Sequence, residues 1–161
     1  MRAARVEDMA AVAEIYGHYV LHSHATFELT PPPVQAWEHH LSNDVEHGPY
    51  QMFVAFIDGR VVGYAKTGKF RERAAYDPSV EVSVYCAHDV AGRGIGTALY
   101  DRLLSTLPGD FHRAYAGIAL PNAPSIALHE RFGFTLAGTF REVGRKFDRW
   151  WDVSWFEKEL T

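Results

Sequence analysis

The run SVEVSVYC, Ser79 to Cys86, is rich in valine and reads as a strand, since β-branched side chains crowd a helix and pack well on a pleated surface. Shortly after it Gly92, Gly94 and Gly96 share one turn with Arg93 among them, and an apolar period from about Ile95 to Leu107 then reads as a helix. Glycine loses more conformational freedom on folding than any other residue, so three in one turn mark backbone that bends sharply or is approached closely. A strand that ends in such a turn and feeds a helix N-terminus makes an anion site, because free N–H groups and the positive end of the helix dipole point at it. The plain alternative is a tight turn with no ligand. Two nucleotide-binding patterns fail. A P-loop needs Gly-Lys-Ser/Thr where this chain has Gly96-Thr97-Ala98. A dinucleotide fingerprint needs a third glycine three residues after Gly94, where Thr97 stands, and belongs after the first strand of its fold.

The rest of the chain can be placed around that unit. Met9, Val12, Ile15, Tyr16, Tyr19 and Val20 recur at helical spacing, and prolines 31–33 open a second helix from Val34 to about Val45. YQMFVAFIDGRVVGYAKTGKF, from Tyr50, reads as two strands joined at Asp58-Gly59, a strong hairpin signal. RAYAGIAL is a short buried strand, and NAPSIALHERFGF holds a short helix between an Asn or Ser start and Gly133. The last segment, TLAGTFREVGRKFDRWWDVSWFEKEL, reads as two antiparallel strands around Asp148. This order predicts an α+β fold, a mixed sheet with helices on both faces.

The 161 residues suffice for one domain, 1–161, with a real core. A net charge of −4 speaks against a general nucleic-acid binder. No apolar run approaches the roughly 20 residues that span a bilayer. The N-terminal segment is too broken by charge for a secretory leader. The single cysteine, Cys86, leaves no internal disulfide and suits a reducing cytoplasm. Glu14, His18 and His22 recur every four residues, with His24 beyond, but no HExxH or cysteine pair accompanies them, so a solvated helix face is expected and no metal.

The segment VEVSVYCAHDVAGRGIGTALYDRLL resembles the acetyl-CoA-binding region of GCN5-related N-acetyltransferases (GNAT), where Gln/Arg-x-x-Gly-x-Gly/Ala joins the fourth strand to the third helix. Gly94 and Gly96 take the glycine positions, and Ala91 stands where the family has Gln or Arg. SHATFELTPPP, KFRERAAYDPSVEVSVYC, GIALPNAPSIALHERFGF and EVGRKFDRWWDVSWFEKEL are similar, in order, to the group that acetylates phosphinothricin, methionine sulfone and methionine sulfoximine. The resemblance covers nearly the whole chain. It implies a GNAT fold with a mostly antiparallel sheet, acetyl-CoA as co-substrate, and direct transfer in a ternary complex to the α-amine of a small amino acid. It also implies a homodimer. The coenzyme pyrophosphate would lie on backbone N–H groups of Gly92, Arg93, Gly94, Ile95, Gly96 and Thr97, with Arg93 adding positive charge.

Acetylating an amine needs a base, a donor to the developing oxyanion, and a way for the thiolate to leave. Glu81 is the candidate base, working through a water; alternation with Val80, Val82 and Val84 equally fits a residue on the solvated face of a strand. By resemblance the oxyanion is met by a backbone N–H between Val84, Tyr85 and Cys86, at a bulged end of this strand, which makes the Cys86 thiol a bystander. His129 falls where relatives place a tyrosine acid; it is a candidate acid or second base, or else a surface histidine beside Glu130 and Arg131. Asn122 and Ser125 contact the coenzyme by resemblance, and Asn122 equally suits an N-cap. For the acceptor, Arg71 and Arg73 point the same way if their segment is extended, with Tyr76 close by. Paired guanidiniums suit a carboxylate and a phosphinate or sulfone oxygen, and Phe27 would add an apolar wall; the alternative is a solvated basic loop. Trp150, Trp151 and Trp155 are expected to pack the final hairpin or a dimer contact. Two rival functions stay open: acetylation of a protein N-terminus or lysine, and a non-catalytic acyl-CoA sensor.

Overall fold

In the computed structural model, which describes residues 1–161, seven strands form one sheet in the order β1-β2-β3-β4-β5-β7-β6. One half holds β1 (Arg2–Ala3), β2 (Met52–Ile57), β3 (Arg60–Lys69) and β4 (Ser79–Cys86), each antiparallel to its neighbour. The other half holds β5 (Arg113–Ala119), β6 (Thr135–Lys146) and β7 (Arg149–Glu159), also antiparallel. The halves meet at β4 and β5, the one parallel pair. The helices are α1 (Met9–His22), α2 (Val34–His40), α3 (Ile95–Ser105) and α4 (Ala123–Arg131).

Neighbouring residues of β3 show how both faces are covered. Tyr64 turns to one face, where its ring meets Trp37 of α2 edge-on at 5.5 Å and stacks on Tyr85 of β4 at 5.8 Å. Gly63 turns to the other, where a Cβ would stand 3.1 Å from Leu99 and 3.2 Å from Ile95, so its missing side chain lets α3 lie close. The expected mixed sheet with helices on both faces is therefore what forms. Two boundaries shift. The second helix leaves α geometry after His40 and continues as a π-helical turn, Leu41–Glu46; α3 stops at Ser105, two residues short of Leu107.

Both expected hairpins turn where the sequence places them. Asp58 and Gly59 sit at φ 50° and 78°, and Phe147 and Asp148 at 55° and 57°, the left-handed pair of a type I′ turn. A bulky aromatic is a poor occupant of that region, and Phe147 is exposed. Phe147→Asn, which tolerates the conformation, is expected to raise Tm by about 2–4 °C for about 1 kcal/mol of relieved strain, read by thermal melts.

KFRERAAY is not extended. After β3 the chain bends through Arg71–Arg73 into a single 3-10 turn, Ala74–Tyr76, so the extended geometry that would align the two arginines is not present.

Candidate active site

β4 and β5 are paired only from Ser79/Arg113 to Glu81/Tyr115. Beyond Glu81 they part, and a cavity of about 230 Å³ opens between Val82–Cys86 and Ala116–Ala119, closed below by α4. On its other edge β4 stays paired to β3 in one unbroken register through Cys86, so the bulge that the family resemblance implied is absent from this strand. The Ala87 N–H donates to Val62 C=O at 2.8 Å. Because an antiparallel ladder alternates, Val84 and Cys86 then turn their backbone N–H groups away from β3, toward the gap. These are donors without a strand partner at the place where an oxyanion donor was expected. The Cys86 carbonyl is occupied, accepting from the Tyr19 hydroxyl.

Glu81, Ser83 and Tyr85 face the α1–α2 side, whereas Val84 and Cys86 approach Gly96 of α3. The face that alternation left ambiguous is thus roofed over. It forms a second cavity, of about 520 Å³, in which Glu81 is half-buried beneath Phe27, Tyr16 and Trp37. Burial raises the Glu81 pKa above the ordinary carboxylate range, opposed in part by Lys66 and Arg71. This cavity and the gap share Ala25, Ser83, Tyr85, Gly117 and Ala119, so the two are continuous.

The roof is the loop between α1 and α2, held from below by two residues that sequence reasoning missed. Lys146, 4% exposed, donates from Nζ to the Ser23 carbonyl at 2.7 Å and the Thr26 carbonyl at 2.8 Å. At Gly144 a Cβ would stand 2.2 Å from the Phe27 ring, so the ring rests on bare backbone. A lysine near a strand end normally reads as a solvated residue, and no local pattern links it to a loop 120 positions away.

At the other end of the gap the glycine turn surrounds a recess of about 350 Å³. Gly92 and Gly94 have φ of 80° and 73° with open space where a Cβ would be, so bending, not close approach, requires glycine there. The first helical bond runs from Ala98 N–H to Gly94 C=O, which leaves the N–H groups of Ile95, Gly96 and Thr97 free. Arg93 and, from α4, Arg131 add positive charge; Arg131 was not anticipated. The recess and the gap share Cys86, Gly96, Pro124 and Leu128.

His129 is not on the surface. It is 3% exposed, its Nδ1–H donating to the Ser125 carbonyl at 2.7 Å and its Nε2 lying 2.8 Å from the Tyr100 hydroxyl. Since the carbonyl can only accept, Nε2 of the neutral ring accepts from Tyr100. Burial lowers the His129 pKa, which favours the neutral ring that these two hydrogen bonds require. The Asn122 side chain caps α4, accepting from Ser125 N–H at 3.3 Å, and both residues line the gap. The Cys86 thiol is pushed up to about 11 by burial, which keeps it protonated.

The proposed acceptor residues separate. Phe27 lines the Glu81 cavity. Arg71 lies in a neighbouring recess, stacked on Phe70 at 4.3 Å and Trp155 at 5.2 Å. Arg73 and Tyr76 are exposed on the 3-10 turn and do not line the cavity. Trp155 covers Gly117, Trp151 is buried against the Lys146 carbonyl, and Trp150 is exposed. His18 stacks on His88 at 4.0 Å, and no group of three or more His, Cys, Asp or Glu side chains is placed to hold a metal ion. No helix is long and apolar enough to cross a membrane.

An anion-binding turn, a gap walled by unpaired backbone and a desolvated carboxylate in series suit the transfer of an acyl group from a phosphate-bearing carrier to an amine. The chain matches the acetyltransferase (GNAT) domain over residues 1–155 and belongs to that family of N-acetyltransferases. It is 46% identical to a phosphinothricin N-acetyltransferase of Streptomyces coelicolor, over 96% of this chain and 92% of that one. It is 32% identical to an L-methionine sulfoximine/L-methionine sulfone acetyltransferase of Pseudomonas aeruginosa, over 99% and 94%. A phosphinothricin acetyltransferase from Sinorhizobium meliloti, solved with acetyl-CoA, superposes with a TM-score of 0.91 at 35% identity, covering 99% of this chain and 86% of that one.

Proposed function

We propose that this protein transfers the acetyl group of acetyl-CoA to the α-amine of a small amino acid or analogue, with phosphinothricin, methionine sulfone and methionine sulfoximine as the leading acceptors. The observation that carries this reading is the continuity of the three recesses, from glycine turn to gap to Glu81 cavity, through shared walls. The free N–H groups of Ile95, Gly96 and Thr97, with Arg93 and Arg131, hold the pyrophosphate, and the gap takes the pantetheine arm and its thioester, against Asn122 and Ser125.

Glu81, through a water, removes one proton from the acceptor ammonium, and the freed amine attacks the thioester carbonyl. The N–H of Val84 or Cys86 donates to the oxygen that becomes negative. Collapse of the adduct breaks the C–S bond, and its remaining surplus N–H proton leaves with the thiolate as thiol. His129, neutral and with both ring nitrogens engaged, serves to position the Tyr100 hydroxyl at the wall of the gap. Transfer is direct in a ternary complex, since the only cysteine is held as its thiol. We place the protein in the cytoplasm, where a lone thiol persists. We also propose a homodimer, formed over apolar side chains left exposed on the β6–β7 hairpin, Leu136, Phe140, Val143 and Trp150 among them.

The test is thiol release from acetyl-CoA with phosphinothricin, methionine sulfone, methionine sulfoximine, ordinary amino acids and a lysine peptide as acceptors. Turnover on the first three is expected. Turnover on the peptide alone would move the protein to the protein-modifying reading, and acetyl-CoA binding with no turnover on any amine would favour a sensor.

A further inference from the structure

Glu81 has two sides. One meets the acceptor cavity, and the other lines a separate polar recess of about 750 Å³ bordered by β3 and the π-helical turn. In the β3–β4 ladder Lys66 stands opposite Ser83, and Glu81 stands opposite Gly68. Gly68 has no side chain, and the Lys66 ammonium lies over it, its Nζ 3.5 Å from where a Gly68 Cβ would be. Gly68 borders the recess and not the acceptor cavity, so the cation sits behind Glu81, on its cross-strand diagonal. Residues so related lie about 7–8 Å apart, within reach of a long side chain. Lys66 enters none of the ion pairs of the structure, so it acts on Glu81 through space and occupies neither carboxylate oxygen.

Most of what surrounds the base works against its charge. The aromatic roof covers it on the acceptor side, Glu28 stands in that roof, and Asp44, Glu72 and Asp77 line the recess behind. Burial and four carboxylates all favour a protonated Glu81. The cations are fewer: Lys66, then Lys69 at the exposed end of β3, and Arg71 in the neighbouring recess. His40 borders both spaces, and burial and Lys66 lower its pKa. Burial raises the pKa of Tyr16, Tyr50, Tyr64, Tyr85 and Tyr100, so none of them ionises together with a carboxyl group. Tyr115 pairs with Glu81 from β5. A base must be ionised to take a proton, so this one needs a cation close by. On the acceptor side that cation would repel the incoming ammonium; in the recess it favours the carboxylate from behind.

We propose that Lys66 is the counter-charge that keeps Glu81 ionised for proton abstraction, set behind the base and out of the path of the acceptor ammonium. The proposal rests on the acetyl-transfer reading. Lys66 is a positioning residue: it touches neither acceptor nor thioester and acts through Glu81. Glu81 takes the proton as in the reaction above, and Lys66 keeps its own. Among the forces on Glu81, Lys66 is the largest that opposes burial, ahead of Arg71.

The experiment compares wild type, Lys66→Met, Lys66→Arg and Lys69→Met by the pH dependence of kcat on the preferred acceptor. Lys66→Met is expected to move the acid limb up by about 1 pH unit, the size of one unit charge about 7 Å away in a partly solvated site. Lys66→Arg keeps the charge and is expected to restore the wild-type limb. Lys69→Met removes an equal charge from the exposed end of β3 and is expected to move the limb less than half as far. An unmoved limb in Lys66→Met overturns the assignment, and so does a shift matched by Lys66→Arg or by Lys69→Met. Titration of protein labelled with carbon-13 at its glutamate carboxyl groups, with Glu81→Gln identifying the resonance, reads Glu81 without acceptor or coenzyme and apart from His40. A Glu81 pKa higher in Lys66→Met than in wild type supports the counter-charge even if no amine turns over. Equal values overturn it even if acetyl transfer stands.

Discussion

Glu81→Gln is expected to lower kcat on the preferred acceptor by about 10²- to 10⁴-fold, the usual worth of a positioned base, while making the protein harder to unfold. The loss follows from the proton that must leave the ammonium before attack: glutamine keeps the size and shape but accepts no proton at neutral pH. The gain follows from linkage. Burial raises the Glu81 pKa in the folded protein. A carboxyl group with a raised folded pKa favours the folded state below its unfolded pKa, and that contribution disappears as pH rises through the folded value. At neutral pH the ionised, half-buried carboxylate is therefore a net cost, and the neutral amide removes it. Steady-state kinetics and thermal melts at pH 7 read both effects, and the Tm advantage of the variant is expected to shrink toward pH 4. The acid limb of the wild-type kcat profile lies above the ordinary carboxylate range, and Glu81→Gln abolishes it. An unchanged acid limb in the variant would assign that limb, and the base, to another group.

Lys146→Met is expected to be the most damaging substitution outside the reaction centre. Two short charge-assisted bonds to loop carbonyls are lost together in a buried position, about 3–5 kcal/mol in all, or a fall in Tm of roughly 10 °C. The loop that Lys146 holds carries Ala25, Thr26 and Phe27, the roof of the acceptor cavity. KM for the amino acid is accordingly expected to rise several-fold while KM for acetyl-CoA, whose pyrophosphate is proposed to sit on the glycine turn, stays put. Gly144→Ala provides the partner measurement, because its Cβ displaces the Phe27 ring without touching the lysine. It is expected to reproduce the acceptor KM change with a smaller loss of Tm. If both variants instead weakened acetyl-CoA, the loop would belong to the coenzyme and not to the acceptor.

What the sequence disclosed was mostly what lies close together along the chain. The valine run, the left-handed glycines and the Asp58-Gly59 and Phe147-Asp148 turns act over a few residues, and strand, glycine turn and hairpins all stand where those signals put them. The spacing of charges misled where backbone conformation intervened, as at Arg71 and Arg73, whose segment bends instead of extending. Alternation along β4 fixed which residues share a face with Glu81 but not what covers that face, since the cover comes from residues 25–37. Lys146 and Gly144 escaped for the same reason. Their meaning arises only when distant strands and loops are folded onto one another, and each alone is an ordinary residue in an ordinary place.

The brief contact between β4 and β5 has a mechanical side. Two antiparallel half-sheets, each zipped along its own length, are joined through a parallel ladder from Ser79/Arg113 to Glu81/Tyr115. The molecule is in this sense a pair of jaws with its hinge at Glu81, and the gap is the angle between them. A ligand that spans the angle and bonds to both inner edges does what further rungs would have done, tying the two units together beyond Glu81. Coenzyme affinity and the stiffness of the seam become two readings of one quantity, and whatever loosens the seam slackens the grip on the carrier and the aim of the carboxylate together.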